Sequence, residues 1–304
     1  VPVSGLLSET GVRKQDVHSG TREGMKVLFP IAGEGELQYD VFAAVFYLLS
    51  RYEEYLPFKG DRHGRFEAGC SLAAREGFLD IPIVDTWLKD LGEKITGWFP
   101  GQHLGEGKFT FIPTIDVDHP YAVLHHGNFR TIAGNLRAFL RSGKELKWRE
   151  GILKGQERDP FDTFDDIEWL HTSHHLRPMI FYLCAPYARY DKGISPRSEA
   201  FSSLVRKTAE FAGTGIHPSY RSNRLKDGPE KEIDELERLS GRKPQASRQH
   251  YLKLSFPLTY RRLLDAGITE DYSMGFASST GFRAGTSRPF YFYDLEKEKE
   301  TGLK

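Results

Sequence analysis

The sequence predicts an α/β protein in two sections: a smaller, partly helical one, then a parallel α/β sheet or barrel. Two observations carry this. Up to about Gly107 the apolar residues recur at helical spacing. From Phe109 onward, short apolar runs ending in polar clusters alternate with helical stretches, the pattern of strands and helices laid alternately along a parallel sheet. A length of 304 residues gives room for both. The predicted domains are residues 1–107 and 108–304, joined by the turn-rich stretch GQHLGEGKF.

In the first section Val41, Phe42, Val45, Phe46, Leu48, Leu49, Tyr52, Tyr55 and Leu56 form a wide apolar stripe. Its width predicts a helix buried on most sides and ended by Pro57. Asp85 is placed to N-cap a second helix over Thr86–Trp98, closed by Pro100-Gly101. In the second section FTFIPTID and MIFYLC read as buried strands separated by a helix opening at Asp162-Thr163. Helices are predicted over Ser198–Ala212, Glu230–Leu239 and Thr259–Ala266, with strand ends at TGIHP, QASRQHY and EDYSMGFA. PFYFYDL reads as one more strand, and Glu296–Glu300 as a solvated charged face.

Composition narrows the function. Lys plus Arg and Asp plus Glu are 42 each, and no basic stripe interleaves with aromatics, so a nucleic-acid partner is not expected. The longest apolar run, inside Tyr39–Leu56, falls short of the roughly 20 residues a membrane span needs. Cys70 and Cys184 stand in no metal spacing and suit a reducing compartment. The opening VPVSGLLSETG has no signal-peptide pattern, which gives a cytoplasmic expectation. Nothing in the sequence sets an oligomeric state.

Four clusters could carry chemistry. In Thr114-Ile115-Asp116-Val117-Asp118-His119 the side chains alternate, so Asp116 and Asp118 point the same way. Their repulsion would be relieved by a cation, or by one ionised and one protonated form. A solvated turn before Pro120 is the competing reading, and the pair alone does not separate them. His217, after a short apolar strand and pinned by Pro218, is placed as a ligand, although a lone His at a strand end is often structural. Arg248 and His250 are two apart and would share a face, with Arg248 able to fork onto a carboxylate. Asp271 and Arg283 make a fourth group with the same two readings. The histidines at 171, 174 and 175 sit near a helix C-terminus, where the helix dipole alone favours them.

The order Asp-x-Asp, His-Pro, Arg-x-His, then an Asp-bearing strand resembles the motif series of polysaccharide deacetylases, the carbohydrate esterase family 4 type with the NodB-like fold. The resemblance runs from about Phe109 to the end. YDVFAAVFYLLSRYEEY and DRHGRF resemble an N-terminal domain of unknown role found in a bacterial subgroup of these proteins.

The resemblance implies a distorted (β/α) barrel lacking its last strand, since the sequence stops at Leu303-Lys304 before the family's strand with a general-acid His. It also implies a divalent metal, Zn²⁺ foremost, and a carbohydrate substrate that loses an acetyl group. Asp116 matches the catalytic base, Asp118 and His217 match metal ligands, Arg248 matches the residue that holds the base, and Asp271 matches the acidic residue of the fourth motif. The family's second ligand His, four residues after the first, is replaced by Arg221. His250 is the candidate third ligand, with water or Asp116 as alternatives. The rival functions are a catalytically degenerate glycan-binding protein of the same fold, and a metal-independent glycosidase using paired carboxylates.

Overall fold

The computed structural model describes residues 6, 11–33, 35–102, 105, 107–225 and 228–304. Residues 103, 104 and 106 of the predicted linker lie outside that set. Contacts divide the chain into two compact units, Val1–Phe109 with Tyr251–Lys304, and Thr110–His250. The sequence reading assigns residues 251–304 to the second domain, and their contacts group them with the first section. The reason is visible in the partners. Leu295 joins the core of Val27, Leu28, Val41, Leu48 and Trp87. The Asp85 carboxylate accepts hydrogen bonds from Thr286 and Ser287.

The first unit opens with an antiparallel hairpin, β1 (Ser19–Arg22) and β2 (Met25–Leu28). Helix α1 (Val41–Leu49) starts where the Asp40 carboxylate accepts the Ala43 N–H, an N-cap that satisfies one of the free donors of the first turn. The single long helix predicted here is broken. Arg51 turns left-handed (φ 55°), and only a short α2 (Tyr52–Tyr55) follows. That turn lets the buried Arg51 guanidinium fold back onto Glu53 and Glu54. After α3 (Leu72–Arg75) comes α4 (Ile83–Trp98), which starts at Pro82. Asp85 therefore lies in the first helical turn rather than at the cap, with its carboxylate engaged by Thr286 and Ser287.

The second unit runs β3 (Thr114–Val117), α5 (Asn128–Arg141), α6 (Gly143–Leu153), α7 (Phe164–Ser173), β4 (Met179–Tyr182), α8 (Glu199–Thr208), β5 (Gly213–Ile216), α9 (Glu230–Ser240) and β6 (Ala246–Ser247). It is a mixed α/β arrangement in which β3, β4, β5 and β6 lie side by side, all parallel. β3 is shorter than FTFIPTID suggested, and Phe109, Phe111 and Ile112 ahead of it are exposed. No element was predicted for α5, which starts at Gly127 without a side-chain cap. α8 is capped as its sequence suggests, the Ser198 side chain accepting the Phe201 N–H.

The chain then returns to the first unit with α10 (Leu258–Asp265), β7 (Glu270–Asp271), β8 (Tyr293–Asp294) and β9 (Lys299–Glu300). PFYFYDL does not add a parallel strand: β8 pairs with β9 as an antiparallel hairpin. Arg261 grips Asp294 beside its turn, and the Asp294 carboxylate also accepts the Glu296 N–H. Cys70 and Cys184 are both free thiols.

Candidate metal centre

Register builds the site. In the parallel ladder Val117 pairs with Tyr182, Tyr182 with Ile216, and Ile216 with Ser247. Asp118, His217 and Arg248 each follow the last paired residue of their strand. Three polar side chains from distant sequence positions therefore emerge together at the C-terminal ends of parallel strands, the usual place for sites in such sheets. One glycine makes room: a Cβ on Gly215 would lie 2.5 Å from the Phe181 ring. That ring sits under the Arg248 guanidinium at 4.9 Å, a cation–π support.

Asp118, His217 and His250 offer one ligand atom each, all within 4.8 Å of one another. Nε2 of His217 is 3.1 Å from Oδ1 of Asp118, and Nε2 of His250 is 3.4 Å from Oδ2. The outer nitrogens of both rings fix which atoms face inward. Nδ1 of His217 lies 2.6 Å from the Arg248 carbonyl, which can only accept, so Nδ1 carries the proton and Nε2 presents a lone pair. Nδ1 of His250 lies 3.0 Å from the Asp191 carboxylate, which sets the same tautomer. Two ring lone pairs and a carboxylate therefore converge, and Oδ1 of Asp118 is buried without a hydrogen-bond partner. Such a set is completed by positive charge: a metal ion on the two lone pairs, or a proton on either ring that turns it into a donor to Asp118. These residues fit a divalent metal with N and O ligands such as Zn²⁺.

The electrostatics agree. Burial opposes charge on both partners, but the interactions with His217 and His250 outweigh it and hold the Asp118 carboxyl below the usual carboxylate range. Burial likewise opposes protonation of His250, yet the carboxylates of Asp118 and Asp191 push its pKa up to about 9. The pocket draws positive charge, whether a proton or a metal ion fills it.

Beside this triad, Nη1 of Arg248 lies 3.2 Å from Oδ1 of Asp116, and Nη2 donates to Thr114 Oγ1 at 2.8 Å. Five of the sequence-predicted site residues, Asp116, Asp118, His217, Arg248 and His250, thus come together in one unit. Asp271 belongs to the other unit, where its carboxylate accepts the N–H and the hydroxyl of Ser273. Arg283, grouped with it by sequence, is a buried partner of Glu54. Arg221, which stands where the family's second His would be, is exposed. His171 is buried with Nδ1 on the Ile167 carbonyl, a helix-end contact.

Two supporting residues were not foreseen. Asp191 is buried in a loop, accepts the Tyr220 N–H, and orients His250. No local pattern marks it. Glu232 on α9 accepts both the N–H and the hydroxyl of Ser219, pinning the loop that carries His217. Burial pushes its pKa up to about 7 against those hydrogen bonds. Glu232 did leave a signal: it lies one turn before Leu236 on the buried stripe of α9, a poor place for an unpaired carboxylate.

Asp191 gives a direct test. Carboxylates that orient metal-ligating histidines raise metal affinity roughly 10- to 100-fold. Asp191→Asn should weaken Zn²⁺ binding by that factor in competition with a chromophoric chelator. Unchanged affinity would show that His250 needs no orienting partner.

Residues 1–100 match a family of unknown function, DUF7033. No curated protein matches the chain. Three solved structures are similar to part of it. One is a crystal structure from Mycobacterium smegmatis assigned to the polysaccharide deacetylases, with 14% identity, 57% of each chain covered and a TM-score of 0.33. IcaB from Ammonifex degensii has 11% identity over 55% of this chain and 88% of its own, TM-score 0.31. A de-N-acetylase from Aggregatibacter actinomycetemcomitans has 12% identity over 53% of this chain and 85% of its own, TM-score 0.29.

Proposed function

We propose that this chain is a metal-dependent hydrolase of the NodB-like fold that removes acetyl groups from a saccharide or glycan precursor. The observation that carries the proposal is the convergence of Asp118, His217 and His250 beside an Arg248-held Asp116. A ligand triad with a carboxylate next to it is the minimum for metal-assisted attack of water on an acyl group. When bound, a divalent ion polarises the acetyl carbonyl and lowers the pKa of water to about 7.

The chain's own residues do the rest. Asp118, His217 and His250 hold the ion. Asp116 takes the proton from the attacking water. It returns that proton to the leaving nitrogen or oxygen of the sugar as its bond to the acetyl carbon breaks, which frees acetate. Arg248 fixes Asp116 in place by its ion pair. The backbone N–H of His119, directly after Asp118, is the proposed donor to the developing oxyanion. The roles of the bases and ligands rest on the motif resemblance together with the geometry above.

Purified chain should carry a single divalent ion by mass spectrometry and release acetate from N-acetylated oligosaccharides. Chelation should abolish release, and Zn²⁺ or Co²⁺ should restore it. Glycan cleavage that survives chelation would support the glycosidase reading instead. Saccharide binding by fully metal-loaded chain without acetate release would support the degenerate one.

A further inference from the structure

Helix α5 is built inside out. Its only buried residue is Ala138. The side that packs on α6 is small and polar: Asn135 accepts from Arg149 Nε at 2.9 Å, and a Cβ on Gly134 would strike the same guanidinium at 2.5 Å. The large apolar residues face the other way. Phe129, Ile132, Leu136, Phe139 and Leu140 are 59–86% exposed. Their spacing sets them on one stripe along the helix. Reversing α5 to bury that stripe would expose Ala138 and break the Arg149 contact, so the stripe has no route into this unit's own core.

Charge identifies what covers it. α5 carries Arg130, Arg137 and Arg141 and no carboxylate, and α6 follows with Lys144 and Lys147 near its start, with Glu145 between them. Arg130 is spent on the carbonyls of Lys192 and Gly193, which ties the helix to the unit. Arg137 and Arg141 are exposed and lie roughly 110° and 150° round the helix from the middle of the stripe. An aromatic-rich apolar stripe with cations on its flank and no acids is the pattern of a helix lying in a membrane interface. A second copy packed antiparallel through the stripe would set arginine flank against arginine flank. No helix among the described residues is long and apolar enough to cross a membrane, so the contact would be surface docking.

We infer that the Phe129–Leu140 face of α5 docks this chain onto an anionic lipid surface, with the stripe in the acyl boundary and Arg137 and Arg141 on headgroup phosphates. This inference is independent of the proposed reaction.

The test is co-sedimentation of the whole chain with vesicles of equimolar phosphatidylglycerol and phosphatidylcholine, and with vesicles of phosphatidylcholine alone. Binding is expected to the first and to be much weaker for the second. Arg137→Gln with Arg141→Gln should weaken binding roughly fivefold per arginine. Leu136→Gln with Leu140→Gln should abolish it, while circular dichroism and metal content stay unchanged because these residues are exposed. Equal binding to both vesicle types, no binding to either, or full binding by the leucine variant would each overturn the proposal. So would a concentration-dependent dimer that the leucine variant abolishes, in a chain that does not sediment with vesicles.

Discussion

Asp118→Asn is expected to lose bound metal and activity together, whereas Asp116→Asn is expected to keep the metal and lose only turnover. The difference follows from what each carboxylate faces. Asp118 points both oxygens at ring nitrogens, 3.1 Å from His217 and 3.4 Å from His250. An amide there is a neutral and poorer ligand, and the lone pairs of two histidines would be left with no anion to balance the ion they hold. Asp116 faces Arg248 and is not among the clustered ligand atoms. Its amide keeps one acceptor for Arg248 but cannot take a proton from water. The expected drop is roughly 10²- to 10⁴-fold in kcat, typical of a lost general base. The measurement is metal per chain and acetate release for each variant. Equal metal loss in both would make Asp116 a ligand. Full activity in Asp116→Asn would remove it as the base.

The residues of this centre were legible to different degrees, for physical reasons. Asp116 and Asp118 were readable because strand alternation alone puts them on one side, and His217 and Arg248 because polar residues that close apolar strands gather at one sheet edge. His250 was placed by the same alternation, but the chain does not follow it. The strand stops at Ser247, and His250 opens a tight turn that delivers its ring to Asp118. Asp191 left no trace, since a loop carboxylate is defined only by what folds against it. The domain division was misread at its far end because short helices and strands in residues 251–304 continue the alternation of the second section. Long-range contacts, such as Glu54 with Arg283 and Leu295 in the apolar core of the first section, group them with the first unit.

That pairing carries the second large expected effect. Glu54→Gln should destabilise the unit of residues 1–109 and 251–304 by about 3–5 kcal/mol, the usual cost of removing one member of a buried ion network. Glu54 accepts from Nε of Arg51 at 2.9 Å and from Nε of Arg283 at 2.8 Å, and makes a further short contact with Nη2 of Arg283. Both guanidiniums and the carboxylate are at most 2% exposed. Glu53 balances one of the two cations, so the network is neutral only while Glu54 is charged. The amide variant would leave a buried positive charge and turn an N–H₂ group toward guanidinium donors. The pH dependence has a defined sign. Burial works against the Glu54 charge, but Arg283 and Arg51 outweigh it and hold its pKa below the ordinary value. Its stabilisation is therefore present above the unfolded-state pKa of about 4.3 and is lost as pH falls through the folded one. Urea unfolding at pH 7 and across acid pH reads both effects. The double variant Glu54→Gln with Arg283→Met should recover part of the loss, because it also removes the unbalanced charge. A loss of less than about 1 kcal/mol in Glu54→Gln, the scale of an exposed pair, would mean that water reaches these guanidiniums and that the network does not hold the two chain segments in one unit.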